Sequence, residues 1–346
     1  MMNYEIFKEV FKEKLTDFMP DEFKDYKVME HKVHKVNCEK DAINLVPLGK
    51  DDRVCGAPTI YVENFYEMYQ KGESLDDVIR CAAEMVTEGY KKIPEMMKNE
   101  NLDMDRLKDR VVATLVNTTQ NEDYLKRIPH REFLDLSIMY RCVISADENG
   151  LGSAVITNDM ASKMGMNEEQ LYEAAMNNTP KLLPVSIKPM EEIICEILMG
   201  ETMNSEDGIS REEAMEMLDE VGEETKEKKM YVMTNSEKIN GASEIMFPEN
   251  LEKLSSKFDS DIYIIPSSIH EIIAVSADGK DVNELQKMVN EVNMNELSLE
   301  ERLSNEVYHY DRNKKELTIA SDAPNKRLDG KAIAEPFRYD TPDRTL

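Results

Sequence analysis

The chain has 346 residues, of which 41% are apolar, enough for two folded domains or one two-lobed body. Its formal net charge at pH 7 is −27, which argues against direct binding to nucleic acid or to an anionic membrane, because either partner requires basic side chains. The five cysteines show no CxxC spacing and the N-terminus lacks the apolar core of a signal peptide, so we expect a reducing, cytoplasmic location and no span of the membrane.

Residues 1–130 are predicted to form an N-terminal lobe of helices and strands. Apolar residues recur at helical spacing from Tyr4 to Phe18, behind Asn3 as the N-cap, and Pro20 ends this helix. The patterns that follow predict strands at 26–36, 42–48 and 57–62, and helices at 63–71 and from 74 onward. Residues 110–116 fit a strand or a helix, because short apolar runs do not separate the two.

Residues 131–320 are predicted to form a second lobe that contains a repeated unit. Tyr140 and Tyr231 each open an apolar run, and each is followed nine positions later by Asn-Gly and a second apolar run. Asn-Gly between two such runs indicates a tight hairpin, and a helix-start signal follows in both copies. The sequence therefore predicts an α+β protein that uses a hairpin-helix (ββα) unit twice, in antiparallel sheets with helices on one face.

Other segments of this lobe have simpler patterns. Helices are predicted at 158–164, 168–177 and 282–292, strands at 261–265 and 271–275, and a hairpin from 306–310 and 316–320. Residues 179–189 carry three prolines and are predicted to be extended. Residues 321–346 lack apolar periodicity, so they are predicted to be an extended or mobile tail.

An acidic helical insert is predicted at about residues 190–228. Within 191–227, fourteen acidic residues face two basic ones. This segment either contacts a basic protein partner or is a solvated face, and the pattern leaves both open. The candidate contact residues are the acidic side chains of its predicted second helix: Glu212, Glu213, Glu216, Asp219 and Glu220.

One segment has the composition of a catalytic site. Ser267, Ser268, His270 and Glu271 lie between two apolar runs, and a serine nucleophile requires an imidazole and a third, orienting group. A Pro-Ser-Ser turn, in which hydroxyls bind backbone groups, explains the same residues.

No metal site and no cofactor are expected. His31 and His34 have the spacing of metal ligands, but on a strand their side chains point to opposite faces. The short glycine motifs at Gly150 and Gly241 do not match a phosphate-binding loop.

Several segments together resemble one protein family. They are Lys35-Val-Asn37, Pro58-Thr-Ile-Tyr61, Leu115-Val-Asn117, Pro129-His-Arg-Glu-Phe133, Tyr231-Val-Met-Thr-Asn235, Asn240-Gly-Ala242, Ile264-Ile-Pro-Ser-Ser-Ile-His-Glu271, Met288-Val-Asn-Glu-Val-Asn293, Leu303-Ser-Asn-Glu-Val-Tyr308 and Pro324-Asn-Lys-Arg-Leu-Asp-Gly330. They are similar to the bacterial domain-of-unknown-function family 5688, common in Gram-positive gut anaerobes and often found near mobile elements. The resemblance implies a cytoplasmic bacterial accessory protein, and it assigns no catalytic residue and no ligand.

Two functions follow from these observations. The first is a non-enzymatic binding or regulatory protein. The alternative is a hydrolase or transferase that uses Ser268, His270 and Glu271. The sequence leaves the oligomeric state open.

Overall fold

The computed structural model describes residues 2–48, 57–91, 107–147, 150–202 and 229–330. The chain folds into two compact units, Met1–Asp103 and Met104–Leu346. Helices combine with three antiparallel sheets, which confirms the predicted α+β class.

Within residues 2–48 and 57–91, the first unit contains three strands and three α-helices. Its elements are α1 (Tyr4–Leu15), β1 (Tyr26–Lys35), β2 (Cys38–Pro47), β3 (Thr59–Tyr61), α2 (Val62–Gln70) and α3 (Leu75–Lys91). The sheet order is β1-β2-β3. Asn3 caps α1 as predicted, because its side chain accepts a hydrogen bond from the amide of Ile6.

The core of the first unit joins its helices to one set of strand residues. Ile43 and Leu45, two apart on β2, share a face of the sheet and pack with Phe7, Phe11 and Val78 of the helices. All five are fully buried. The spacing of apolar residues in α1 and α3 thus corresponds to the surface that each helix buries.

The second unit contains a four-stranded and a six-stranded sheet. The four-stranded sheet consists of β4 (Val111–Asn117), β5 (His130–Phe133), β6 (Leu136–Asp147) and β7 (Gly150–Val155). The central strand β6 pairs with β4 along one edge, and with β5 and β7 along the other. The open assignment of residues 110–116 is resolved as a strand, and every residue of β4 is buried.

The six-stranded sheet has the order β13-β12-β10-β11-β9-β8. Its strands are β8 (Val185–Pro189), β9 (Met230–Asn235), β10 (Ile262–Ile265), β11 (Ile272–Ser276), β12 (Tyr308–Asp311) and β13 (Glu316–Ile319). Among the described residues, β8 therefore forms an edge of this sheet.

The helices of the second unit connect or cover these strands. Those in the described part of this unit are α4 (Glu122–Leu125), α5 (Asn158–Met164), α6 (Glu168–Leu182), α7 (Met190–Thr202), α8 (Pro248–Ser256) and α9 (Val282–Asn295). Helix α6 packs against β4, and its Thr179 Oγ1 accepts a hydrogen bond of 3.0 Å from the amide of Ala113.

The last turn of α6 corrects one sequence prediction. Residues 179–182 were predicted to be extended, because Pro180 and Pro184 disfavour a helix, yet the helix continues through Pro180. Asn178 Nδ2 donates to the carbonyl of Lys108 over 3.0 Å. With the bond between Thr179 and Ala113, this contact attaches the final turn of the helix to β4 and to the residues just before it. Tertiary packing therefore overrides the local preference.

The predicted repeat is not confirmed. Its first copy is a hairpin followed by a helix, formed by β6, β7 and α5. In the second copy, a 3₁₀ helix (Gly241–Met246) stands where a strand was expected, and α8 follows it. Strand β9 pairs with β8 on one side and with β11 on the other, so no edge of β9 is free to form a hairpin.

Candidate functional site

The predicted catalytic segment forms a connection between β10 and β11. The amide of His270 donates to Ser268 Oγ over 3.0 Å, and the amide of Ser268 donates to the carbonyl of Glu271 over 3.2 Å. Ser268 is buried, whereas Ser267, His270 and Glu271 are half-buried. The Ser268 hydroxyl therefore stabilises the turn in which it lies.

The imidazole of His270 binds a second loop. Its Nδ1 accepts a hydrogen bond of 3.2 Å from the amide of Asn240, so Nδ1 is unprotonated and the ring proton of the neutral form lies on Nε2. The carbonyl of His270 accepts from Thr234 Oγ1 over 2.7 Å. His270 thus joins the loop after β9 to the loop before β11.

Gly241 lies at the centre of this junction. A Cβ atom added there would lie 2.2 Å from Thr234 Oγ1, 2.6 Å from the carbonyl oxygen of His270 and 2.7 Å from the amide nitrogen of Asn235. Asn240, just before it, adopts the left-handed conformation with φ of 54°. The close backbone approach therefore requires Gly241, and Asn240 suits the left-handed conformation before it. The pair does not form the tight hairpin turn that the sequence predicted.

The acidic candidates lie elsewhere. Glu212, Glu213, Glu216, Asp219 and Glu220 fall outside the described residues, as does the tail beyond Gly330.

The structure brings together a group of buried and partly buried polar residues that the sequence did not indicate, and we call it the Asp135 cluster. Asp135 lies between β5 and β6. Its Oδ2 accepts from Ser304 Oγ over 2.6 Å, and its Oδ1 accepts from Tyr308 Oη over 2.8 Å. Burial raises the pKa of Asp135, although both hydrogen bonds favour its ionised form.

A second carboxylate of the cluster holds the C-terminal segment of the described chain. Glu306 is 2% exposed. It accepts hydrogen bonds from Ser321 Oγ over 2.6 Å, from the amide of Ala323 over 3.0 Å and from Lys326 Nζ over 2.5 Å. Such a buried charge is stable only when it is paired and bonded in this way.

Amide side chains extend the same network. Asn293 Nδ2, on α9, donates to Asn305 Oδ1 over 2.8 Å. Asn305 Nδ2 in turn donates to the carbonyl of Asn325 over 3.0 Å. The segment from Ser304 to Tyr308 is therefore bonded to α9, to the β5–β6 turn and to residues 321–326.

A cavity of about 30 Å³ lies within the Asp135 cluster. It is lined by polar side chains from four parts of the second unit: Asn117, Thr119, Asp135, Asn305, Glu306, Asn325 and Lys326. This volume fits one or two water molecules and is far below the roughly 300–1,000 Å³ of ligand pockets. The cluster is thus suited to fixing the backbone and to holding internal water.

Sequence reasoning missed the cluster because its members are distant in the chain. Asp135 and Ser304 are 169 positions apart. The available signal was the run Ser304, Asn305 and Glu306, in which three polar residues lie between Leu303 and Val307. A short polar run between two apolar residues indicates polar side chains that must form hydrogen bonds inside the protein.

Two further features are absent from the described ranges. No group of three or more His, Cys, Asp or Glu residues there could hold a metal ion. His34 Nε2 lies 3.0 Å from a carboxylate oxygen of Glu39 across the β1–β2 hairpin. No described helix combines the length and apolar character needed to cross a membrane.

Comparison with known proteins places the chain in one family. No curated protein and no solved structure matches it significantly. The model of a family of unknown function, DUF5688, matches residues 4–312, nearly the whole chain. Segments that suggested the resemblance form the two regions described above: Asn240 and His270 meet at one junction, and Ser304–Tyr308 forms the other. The chain therefore belongs to the DUF5688 family.

Proposed function

We propose that this protein is a non-enzymatic binding or regulatory protein of the bacterial cytoplasm, which recognises a basic protein partner. The observation that carries the proposal is the concentration of charge: fourteen acidic and two basic residues at 191–227 account for −12 of the net charge of −27. Complementary potential accelerates association and selects partners of the opposite sign.

Helix α7 supports a contact surface at the start of this segment. Ile194 and Ile197, three apart on one face of the helix, are 36% and 53% exposed. Glu191, one turn before them, is also exposed. Exposed large apolar side chains beside acidic ones are typical of a protein contact. Burial of the apolar groups supplies affinity, and the charges supply orientation.

The contacts of four polar residues of the second unit support a non-enzymatic role as well. Ser268, His270, Asp135 and Glu306 each bond to groups of the chain itself. These hydrogen bonds hold loops of the chain in place, which is a structural role.

The test is a pull-down with three forms of the full chain. One is wild type, and the second carries Gln or Asn at Glu212, Glu213, Glu216, Asp219 and Glu220. The third, a matched control, carries the same changes at five exposed acidic residues of the first unit: Glu9, Glu13, Asp17, Glu22 and Asp25.

We expect wild type and the control to recover the same basic protein, and the second form to lose it. Recovery from wild type should fall as salt rises from about 0.1 M to about 1 M, since the screening length shortens from about 10 Å to about 3 Å. Equal recovery by all three forms would refute the proposal.

A further inference from the structure

The second unit has a groove between strand β8 and helix α8. Its volume is about 600 Å³. The described residues that line it are two from the strand and four from the helix or directly after it: Val185, Ile187, Glu252, Lys253, Ser256 and Lys257. Val185 and Ile187 are two apart on β8, so their side chains share the face that forms the groove floor.

The backbone N–H and C=O groups of Val185 and Ile187 are those of β8 that point away from its neighbour β9. The amide of Ser236 donates to the carbonyl of Pro184 over 2.8 Å, and Ser186 and Lys188 pair with Thr234 and Val232 of β9. In an antiparallel pair, bonded and non-bonded positions alternate. The N–H and C=O groups of Val185 and Ile187 therefore point away from β9, towards the open edge of the sheet.

The helix wall of the groove is positively charged. Glu252 is neutralised by Lys315 Nζ, which lies 2.9 and 3.0 Å from its two carboxylate oxygens. Lys253 and Lys257 are exposed, and among the described residues neither has a carboxylate within 4.0 Å. Within the described ranges, two lysine side chains thus line the groove without a neutralising ion pair.

The spacing of these lysines matches an extended chain. Residues four apart on a helix are separated by about 6 Å along its axis, and alternate residues of a strand by about 6.6 Å. Carboxylates at alternate positions of a strand beside β8 would meet Lys253 and Lys257 in turn. The methylene groups of these acidic side chains would lie over Val185 and Ile187.

We propose that β8 and this groove bind an extended peptide segment of a partner protein, in which alternate residues are acidic. The segment adds a strand to β8, with backbone hydrogen bonds to Val185 and Ile187, and its acidic side chains pair with Lys253 and Lys257. The net negative charge of the whole chain acts weakly here, because the screening length at physiological salt is about 8 Å. This surface takes an acidic partner, whereas the acidic segment takes a basic one. The two proposals are therefore independent of each other.

The test is binding of two labelled synthetic peptides to the full chain, measured by fluorescence anisotropy. The first alternates Glu with Thr, and the second has the same composition with its Glu residues consecutive. A strand presents alternate residues on one face, so only the first can direct all of its acidic side chains into the groove. We expect the alternating peptide to bind at least about tenfold more tightly.

Two variants test the two parts of the interaction. Lys253→Gln with Lys257→Gln removes the charges, and we expect it to weaken binding of the alternating peptide by about tenfold or more. Ile187→Pro removes an outward N–H but no hydrogen bond to β9, a substitution that edge strands tolerate, and we expect the same loss. The matched control replaces Lys71 and Lys287, two exposed lysines outside the groove, with Gln and should bind as wild type does.

Equal binding of the two peptides would overturn the proposal, as would undiminished binding by the Lys253→Gln, Lys257→Gln variant. Sedimentation of the protein alone tests whether a second copy of the chain occupies the edge of the sheet. A concentration-dependent dimer that Ile187→Pro dissociates would assign the edge to a second copy of the chain and would also overturn it. If Ile187→Pro does not fold, the lysine variant and the peptide pair decide.

Discussion

Asn250 Nδ2 donates a hydrogen bond of 2.7 Å to Oε2 of Glu244, while Oε1 of the same carboxyl group has no hydrogen-bond partner among the described residues. Glu244 is fully buried in the 3₁₀ helix after β9. Burial raises its pKa from 4.5 to about 8. The carboxyl group is therefore protonated in the folded chain at neutral pH.

The first prediction concerns the pH dependence of stability. Because the folded state binds the proton more tightly than the unfolded state, the contribution of Glu244 is complete below about pH 4.5 and is lost as pH rises towards about 8. Glu244→Gln keeps the neutral form at all pH values. We expect it to match wild type near pH 4.5 and to exceed it by about 3 kcal/mol at about pH 7, measured by urea unfolding.

The control for this experiment is Glu249→Gln, an exposed glutamate in the first turn of the next helix. It should leave the pH dependence of the unfolding free energy as in wild type. Parallel pH profiles for wild type and Glu244→Gln would show that Glu244 is ionised in the folded chain.

The second prediction tests the Asp135 cluster with a pair of tyrosines on one strand. Tyr308→Phe removes the donor to Asp135 Oδ1 and should lower the unfolding free energy by about 1–3 kcal/mol. Tyr310→Phe, at a position that is 1% exposed, removes a hydroxyl with no side-chain partner in the described part of the chain. It should cost less than about 0.5 kcal/mol. Similar losses in both variants would contradict this role for Asp135.

The third prediction concerns the junction at Gly241. Gly241→Ala places a methyl group against two backbone atoms, and we expect it to cost about 3 kcal/mol or more. Adding Thr234→Ala should not restore stability, because the contacts with His270 and Asn235 persist. Thermal unfolding of the single and double variants measures this, and full recovery in the double variant would assign the clash to the threonine side chain alone.

The fourth prediction separates the binding function from the hydrolase or transferase alternative. Since Ser268 Oγ accepts from an amide and His270 Nδ1 accepts from another, we expect no labelling of wild type by a fluorophosphonate probe. Labelling that Ser268→Ala abolishes would instead support the enzyme. A reactive serine hydrolase in the same reaction controls for the probe.

Local patterns predicted those elements that local forces determine. Asn3 caps α1, and Asn167 with Gln170 forms the capping box that begins α6. The hairpin of β12 and β13 also lies at the predicted position. In each case the residues that specify the element lie within a few positions of each other.

The other features depend on partners that are distant in sequence. Residues 242–247 have the apolar pattern of a strand, but neighbours from 185–189 and 272–275 occupy both edges of β9. Similarly, Thr179 remains helical because it contacts Ala113, 66 positions away. A single sequence does not specify which distant segments meet, so neither these features nor the Asp135 cluster were predicted.

Strands β8 and β9 are antiparallel neighbours, with Pro189 opposite Tyr231, although residues 190–229 separate them along the chain. Two residues suffice to join such strands. Closing a longer loop costs only about 0.6 kcal/mol for each doubling of its length. Selection on stability therefore constrains the number of residues between these two strands weakly, so relatives can differ in length there while the pairing of β8 with β9 stays unchanged.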